Sequence, residues 1–137
     1  MSNPAINIGA NAARMSVGTI LLFQIQGANF QLTTDQQLTR MYAGANYAVT
    51  AILARQRSGA ASVTCAGGIY DAASKGGNAI VAAGQNWVTL ASGVMVTAAV
   101  ASLGATTVLA NTPYLSLTTG STAAITADVY VYGYDIT

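Results

Sequence analysis

Histidine and glutamate are absent from this 137-residue sequence, and Cys65 is its only cysteine. Without histidine, the Ser-His-Asp and Cys-His arrangements and every histidine-ligated metal site are excluded. A single cysteine cannot form an intrachain disulfide, so we interpret Cys65 as a small buried hydrophobe. A glycosidase carboxylate pair would have to come from the four aspartates, Asp35, Asp71, Asp128 and Asp135. We therefore expect a protein that is not an enzyme and that holds no cofactor and no metal.

Charge is also scarce, since Asp, Glu, Lys and Arg make up 7% of the residues, against about 25% in an ordinary soluble domain. No charged residue lies between Gly76 and Ala127. Such a surface is weakly protected against association, because it lacks charge repulsion. The net charge of +1 argues against nucleic-acid binding, which needs many basic residues on phosphates. We interpret Arg55 and Arg57 as a solvated or interface-paired pair on one strand.

Long apolar runs are missing, although 53% of the residues are hydrophobic. The best candidate, residues 94–101, is far shorter than the ~20 apolar residues of a membrane-spanning helix, so we expect no membrane partner. Residues 1–16 show neither the basic nor the apolar region of a secretory signal. They lack a sustained period and predict an extended arm, which is either an attachment arm or a frayed end.

Alternation of apolar residues with a period of two is the main structural signal, and it is clearest in residues 17–26 and 125–136. Residues 47–57 favour a strand over a short helix. In the first segment one face should point into a core and consists of Val17, Thr19, Leu21, Phe23 and Ile25.

Turn signals recur at short intervals between further strand candidates. Ser58 and Gly59 predict a hairpin turn into a strand at residues 61–70, and Gly67-Gly68 indicates a bulge or the close approach of another backbone. A second turn is predicted at residues 74–77. Weaker strands are predicted at residues 78–83, 87–90, 94–100, 106–109 and 114–118. With about eight strands, the sequence predicts a single-domain antiparallel β-sandwich, jelly-roll-like, over residues 17–137.

Motifs for ligand chemistry are weak. Lys75 stands before two glycines, the reverse of the Walker order, and the aspartates lack the spacing of a calcium loop. Asp71 and Lys75 are interpreted as a solvated pair. Tyrosines in the last segment form a stripe that is a ligand-stacking platform, a protein contact or simply a half-buried sheet face. The candidate protein-contact residues are Tyr130, Tyr132, Tyr134, Trp87, Arg55 and Arg57.

Two segments resemble the decoration or cement proteins of tailed-phage capsids, which are short jelly-roll-like proteins. These are AGGIYDAASKGGNAIVAAGQNWVTL at residues 66–90 and PYLSLTTGSTAAITADVYVYGYDI at residues 113–136. Residues 33–57 share the resemblance more loosely, so it covers about three quarters of the chain and leaves the arm out. It carries no family-specific binding residue.

The resemblance implies a virion protein without enzymatic activity, made in the host cytoplasm, that binds the capsid exterior. Its partners would be the major capsid protein and other copies of itself in a symmetric homo-oligomer that braces the shell against internal DNA pressure. The alternative is a head-fibre or tail adhesin that binds host-surface carbohydrate or a receptor through Trp87 and the tyrosines. An RNA-phage coat protein is disfavoured by the few basic residues.

Overall fold

The computed structural model describes residues 19–101 and 109–136, and this part of the chain contains nine β-strands and no helix. The all-β class predicted from the sequence is therefore confirmed, including a strand rather than a helix at residues 47–57. The strands are β1 (Ile20–Asn29), β2 (Gln36–Gln37), β3 (Thr39–Arg40), β4 (Tyr47–Gly59), β5 (Ala66–Ala72), β6 (Gly76–Val81), β7 (Met95–Ala98), β8 (Tyr114–Thr119) and β9 (Ile125–Asp135).

These strands form two antiparallel sheets, as a β-sandwich requires. The first sheet has the strand order β3-β1-β9-β4-β7, and the second has the order β2-β8-β5-β6. Apart from the two-residue edge strand β3, the pairs β1/β9, β2/β8, β4/β7 and β5/β6 are nested one inside the other along the chain. One long hairpin folded over in this way into two sheets gives the jelly-roll topology.

The core lies between the sheets and follows from the alternation of side chains along β9. Val129 and Val131 are fully buried, whereas Tyr130 and Tyr132 are partly exposed on the opposite face. The neighbouring strand β4 keeps the same alternation, because Ile52 pairs with Val131 and is also fully buried. The predicted period of two in the last segment therefore places one face of β9 in the core and the other outside.

In β1 the predicted inward face is only partly right. Phe23 faces the core opposite Val131, but the pairing then skips Leu22, so that Leu21 pairs with the outward-facing Tyr132. Leu22 is fully buried and Leu21 is only partly buried. The prediction that Leu21 points into the core is wrong, because a β-bulge shifts the alternation by one residue.

The predicted hairpin at Ser58 and Gly59 is also wrong. Strand β4 remains paired with β9 as far as Gly59, and the chain then crosses to the second sheet. Strand β5 begins at Ala66 and pairs with β6 and β8, not with β4. Gly59 has φ +98 and sits directly against the backbone of Ala124. This glycine therefore permits a close approach of two strands and does not form a two-residue turn.

Of the other predicted strands, some are confirmed, one is wrong and one lies mostly outside the described residues. Strands predicted at residues 78–83, 94–100 and 114–118 correspond to β6, β7 and β8, and the turn predicted at 74–77 is found at residues 73–75. Residues 87–90 are not a strand; they lie beside an isolated bridge between Ala66 and Asn86. The predicted arm, Val17 and most of the strand predicted at 106–109 lie outside the described residues, although Leu109 forms a bridge with Tyr47. Thr19 is exposed.

On one side of the sandwich, the Gln36 side chain makes the pair of backbone hydrogen bonds that a neighbouring strand would make. The amide of Gln36 on β2 accepts a hydrogen bond from the Asn29 N–H and donates one to the Asn29 carbonyl, both at 2.8 Å. On the other side, the Ala101 N–H donates to the Ile80 carbonyl at 2.8 Å. These contacts join the two sheets and cover backbone groups that edge strands would otherwise leave open.

The predicted close approach at Gly67-Gly68 is confirmed. A Cβ atom on Gly67 would collide with the backbone of Leu117 on β8, and one on Gly68 would collide with the Val81 carbonyl on β6. Both positions therefore require glycine for lack of space and not for backbone conformation, since neither has a positive φ.

We expect Gly67→Ala to lower the free energy of unfolding by about 1–3 kcal/mol, the range found when methyl groups are forced into packed sites. Gly84→Ala is the matched control, because no atom lies within 4 Å of the Cβ position there. Guanidinium denaturation of the wild type and both variants measures the two effects. Equal destabilisation by both substitutions would contradict the close approach of β5 and β8.

Candidate functional site

The outer face of the first sheet presents tyrosines among small and aliphatic side chains. Tyr130, Tyr132 and Tyr134 alternate along β9 with core residues, and Tyr134 is 38% exposed. The residues that pair with them on β1 and β4 are uncharged, as is Thr97 beyond Leu53 on β7. We call this surface the tyrosine face and define it by Leu21, Gln24, Ala51, Leu53, Thr97, Tyr130, Tyr132 and Tyr134. The three predicted tyrosines are thus brought together on one side of the molecule.

A buried carboxylate lies at one end of the tyrosine face. Asp128 Oδ1 accepts hydrogen bonds from the Gly27 N–H and from the Arg57 guanidinium, both at 2.9 Å, and the Tyr130 hydroxyl lies 3.4 Å from Oδ2. The register of β9 against β1 is irregular at this point, and Gly27 adopts φ +72. This bulge turns the Gly27 N–H toward the carboxylate. In a regular ladder the same N–H would pair with the neighbouring strand.

The electrostatics of Asp128 follow from these contacts. Burial disfavours the charged form, but the Arg57 and Gly27 hydrogen bonds and the Arg57 charge outweigh it, so the pKa of Asp128 lies below its ordinary value. The carboxylate is therefore ionised at neutral pH and forms a salt bridge with Arg57. The sequence placed Asp128 on the tyrosine side of β9, but did not reveal this structural role, because Arg57 is distant in sequence.

The two arginines predicted as a pair have different environments. The Arg57 side chain is 50% exposed and bound to Asp128. Arg55 is exposed, and it lies directly across the ladder from Asp128. No carboxylate among the described residues lies within 4 Å of it. Arg55 is therefore available to a partner in a way that Arg57 is not.

Trp87 does not belong to this surface, which corrects its selection as a contact residue. It is fully buried, its indole N–H donates to the Gly67 carbonyl at 3.1 Å, and its ring packs edge-to-face against Phe30 at 5.7 Å. Burial of a large aromatic ring stabilises the fold more than its exposure would, which accounts for the position of Trp87 in the core. Cys65 is buried nearby, as predicted; burial raises the pKa of its thiol to about 11.

Sequence reasoning missed several exposed apolar residues, because periodicity does not distinguish a sheet edge from a sheet centre. Met95, at the start of β7, is 59% exposed, and the preceding Val94 is 41% exposed. Both lie beside Arg55 and line a shallow pocket with it. The only available signal is the apolar run at residues 94–100, and this run predicts a strand without showing which of its side chains are exposed.

Comparison with known proteins adds no functional assignment. No family model, no curated protein and no solved structure matches this chain. Within residues 19–101 and 109–136, no helix is long and apolar enough to cross a membrane. Over the same residues, no group of three or more His, Cys, Asp or Glu side chains comes together as a metal site would require. The resemblance to capsid decoration proteins therefore stays a prediction.

We expect Asp128→Asn to lower the free energy of unfolding at pH 7 by about 1–3 kcal/mol, the range for hydrogen bonds to charged groups. Because the folded pKa is lowered, this contribution is complete above the unfolded value of 3.8 and is lost as the pH falls through the folded pKa. The gap between wild type and variant should therefore shrink below about pH 4 in urea denaturation. The pKa of Asp35 is also lowered, but this residue is present in both proteins, so its contribution to the pH dependence cancels in the difference. A gap that is constant down to low pH would contradict this assignment.

The core position of Trp87 predicts blue-shifted fluorescence that acrylamide quenches poorly in the folded protein. Unfolding should shift the emission to the red and make quenching efficient. The sequence contains one tryptophan, so the signal reports this residue alone. Quenching in the folded state as efficient as in the unfolded state would place the indole on the surface instead.

Proposed function

We propose that this protein is a structural virion protein that binds the outer surface of a phage capsid and stabilises the shell. It would act without catalysis or cofactor, as a homo-oligomer in contact with the major capsid protein. The tyrosine face is the observation that carries the proposal. An uncharged aromatic and aliphatic surface on a rigid sheet is suited to contact with another protein, because tyrosine supplies large contact area at low entropic cost.

The scarcity of charge supports an assembly role. Burying neutral hydroxyl and methyl groups removes less hydration energy than burying ions, so large contacts form at a small desolvation cost. Many identical weak contacts around a shell then add by avidity. The jelly-roll fold is compatible with this role, since viral capsid domains are among the proteins that use it, but lectins use it too. Fold alone therefore does not decide the function.

The position of Trp87 disfavours the adhesin alternative. A carbohydrate site on this protein would have used Trp87 as its largest aromatic platform, and the indole is fully buried in the core. The remaining tyrosines lie along a sheet rather than around a concave site, and two of them, Tyr130 and Tyr132, are partly buried by their neighbours. A flat protein contact fits this arrangement better than a sugar-binding pocket does.

The proposal predicts that capsids lacking the protein rebind it in 1 M salt nearly as well as in 0.1 M salt. Ionic attachment would weaken, because the Debye length falls from ~10 Å to ~3 Å over this range. Rebound particles should also retain their DNA at higher temperature. Binding is measured by cosedimentation, and DNA release by a dye-based thermal assay. Binding to host cells, glycans or bare tails, but not to capsids, would establish the adhesin instead.

Substitutions on the two outer faces test which surface makes the contact. Tyr132→Ser should weaken capsid binding about tenfold or more, as expected for a buried aromatic contact. Tyr114→Ser is the matched control on the second sheet, where the Tyr114 hydroxyl accepts a long hydrogen bond of 3.4 Å from the Gln37 amide. Thermal melting of both variants checks that the fold is retained. Equal weakening by the two substitutions would exclude the tyrosine face as the contact.

A further inference from the structure

A notch interrupts the edge of the first sheet beside Arg55. Strand β4 pairs with β9 over its whole length, but β7 pairs with it only from Ile52 to Arg55. Over the described residues, no strand lies against Gln56–Gly59 on the β7 side. The sheet therefore ends with one strand longer than its neighbour, and the exposed edge of the longer strand can accept further pairing.

A pocket adjoins this notch. It has a volume of about 310 Å³ and is lined by Arg55, Gln56, Gly93, Val94 and Met95. Gly93 adopts φ +75 in the turn that precedes β7, and no atom lies within 4 Å of its Cβ position. The wall formed by this turn is therefore open. The lining combines one cation with two exposed apolar side chains.

The Gln56 side chain limits how much of the edge is open. Its amide nitrogen donates to the carbonyls of Gly59 and Ala60, which closes the far end of the notch. Arg57 is held by Asp128. An added extended segment would therefore pair over about three residues, near Gln56 to Ser58.

The positive charge of Arg55 indicates which chemical group a segment bound in the notch should carry. Arg55 has no carboxylate within 4 Å among the described residues, and its cross-strand neighbour Asp128 accepts its short hydrogen bonds from Arg57 and Gly27. Residues 1–18 contain no acidic residue. The carboxylates of Asp35 and Asp71 accept hydrogen bonds from Ser74 and Asn78 elsewhere in the molecule. Among the described residues no carboxylate forms an ion pair with Arg55, so a carboxylate on a bound partner would be its nearest counter-ion.

We propose that this notch binds an extended segment of a partner protein that carries an Asp or Glu side chain. The segment adds a short strand along the open edge of β4, its carboxylate pairs with Arg55, and a neighbouring apolar side chain packs on Val94 and Met95. Main-chain pairing supplies affinity and the pocket supplies selectivity, as in other β-augmentation sites. The site adjoins the tyrosine face but shares no residue with it, and it does not depend on a capsid being the partner.

The test uses two blocked pentapeptides, Thr-Val-Asp-Val-Thr and Thr-Val-Asn-Val-Thr, added to the 15N-labelled full chain and followed by NMR. The aspartate peptide should shift the amide signals of residues 55–58 and 93–95, and bind about two- to fivefold more tightly than the asparagine peptide, the upper part of the range for an exposed ion pair. The preference should fall off as salt is raised.

Two variants separate the Arg55 contact from general charge effects. Arg55→Gln should abolish the preference for aspartate while weak binding at the edge persists. Lys75→Gln removes one positive charge in the exposed β5–β6 turn and should leave the preference intact. Shifts centred on another surface, equal binding of the two peptides, or an equal loss in both variants would overturn the proposal. So would concentration-dependent shifts of the same residues without peptide, because the occupant would then be a second copy. None of these outcomes depends on capsid binding.

Discussion

Strand β9 is the element on which the rest of the structure depends. It lies in the middle of the first sheet and pairs with β1 on one side and β4 on the other. Its alternation sends Val129 and Val131 into the core and Tyr130 and Tyr132 outward. A slip of one residue would place the tyrosines in the core and the valines in water, so the register is specified strongly. Nested pairing also joins residues far apart in sequence, a topology that folds slowly.

The irregularities in this register create the specific features of the surface. A regular ladder between β1 and β9 would use the Gly27 N–H for strand pairing and remove one of the hydrogen bonds to Asp128. The bulge beside Gly27 instead supplies a backbone N–H, and β4 supplies Arg57. Because the Asp128 carboxylate is buried, leaving it without these partners would be costly, although the Arg57 side chain is half exposed. Arg55 lies across the ladder from Asp128, takes no part in this contact and is exposed.

The sequence was sufficient for the fold class, and the reason is visible in particular segments. Residues 125–136 keep an unbroken period of two, so the faces of β9 were predicted correctly. Leu21 was assigned to the wrong face because a bulge depends on the partner strand, and the hairpin at Ser58 failed because crossover to the other sheet is a property of topology. For the candidate site, the tyrosines followed from alternation. The burial of Trp87 and the different roles of Arg55 and Arg57 depend on contacts between distant segments.

The tyrosine face and Arg55 differ in what each would contribute to binding, the first to affinity and the second to selectivity. The tyrosine face offers contact area with little charge, a composition found in the cores of protein interfaces. An arginine without a counter-ion at the edge of the same sheet adds a requirement for a carboxylate, and charge complementarity of this kind fixes orientation more than it raises affinity. In a protein with 7% charged residues, each exposed cation without an ion pair is a larger fraction of the recognisable pattern than it would be on an ordinary surface. At the proposed docking site, the scarcity of charge therefore makes Arg55 the group best placed to orient a partner.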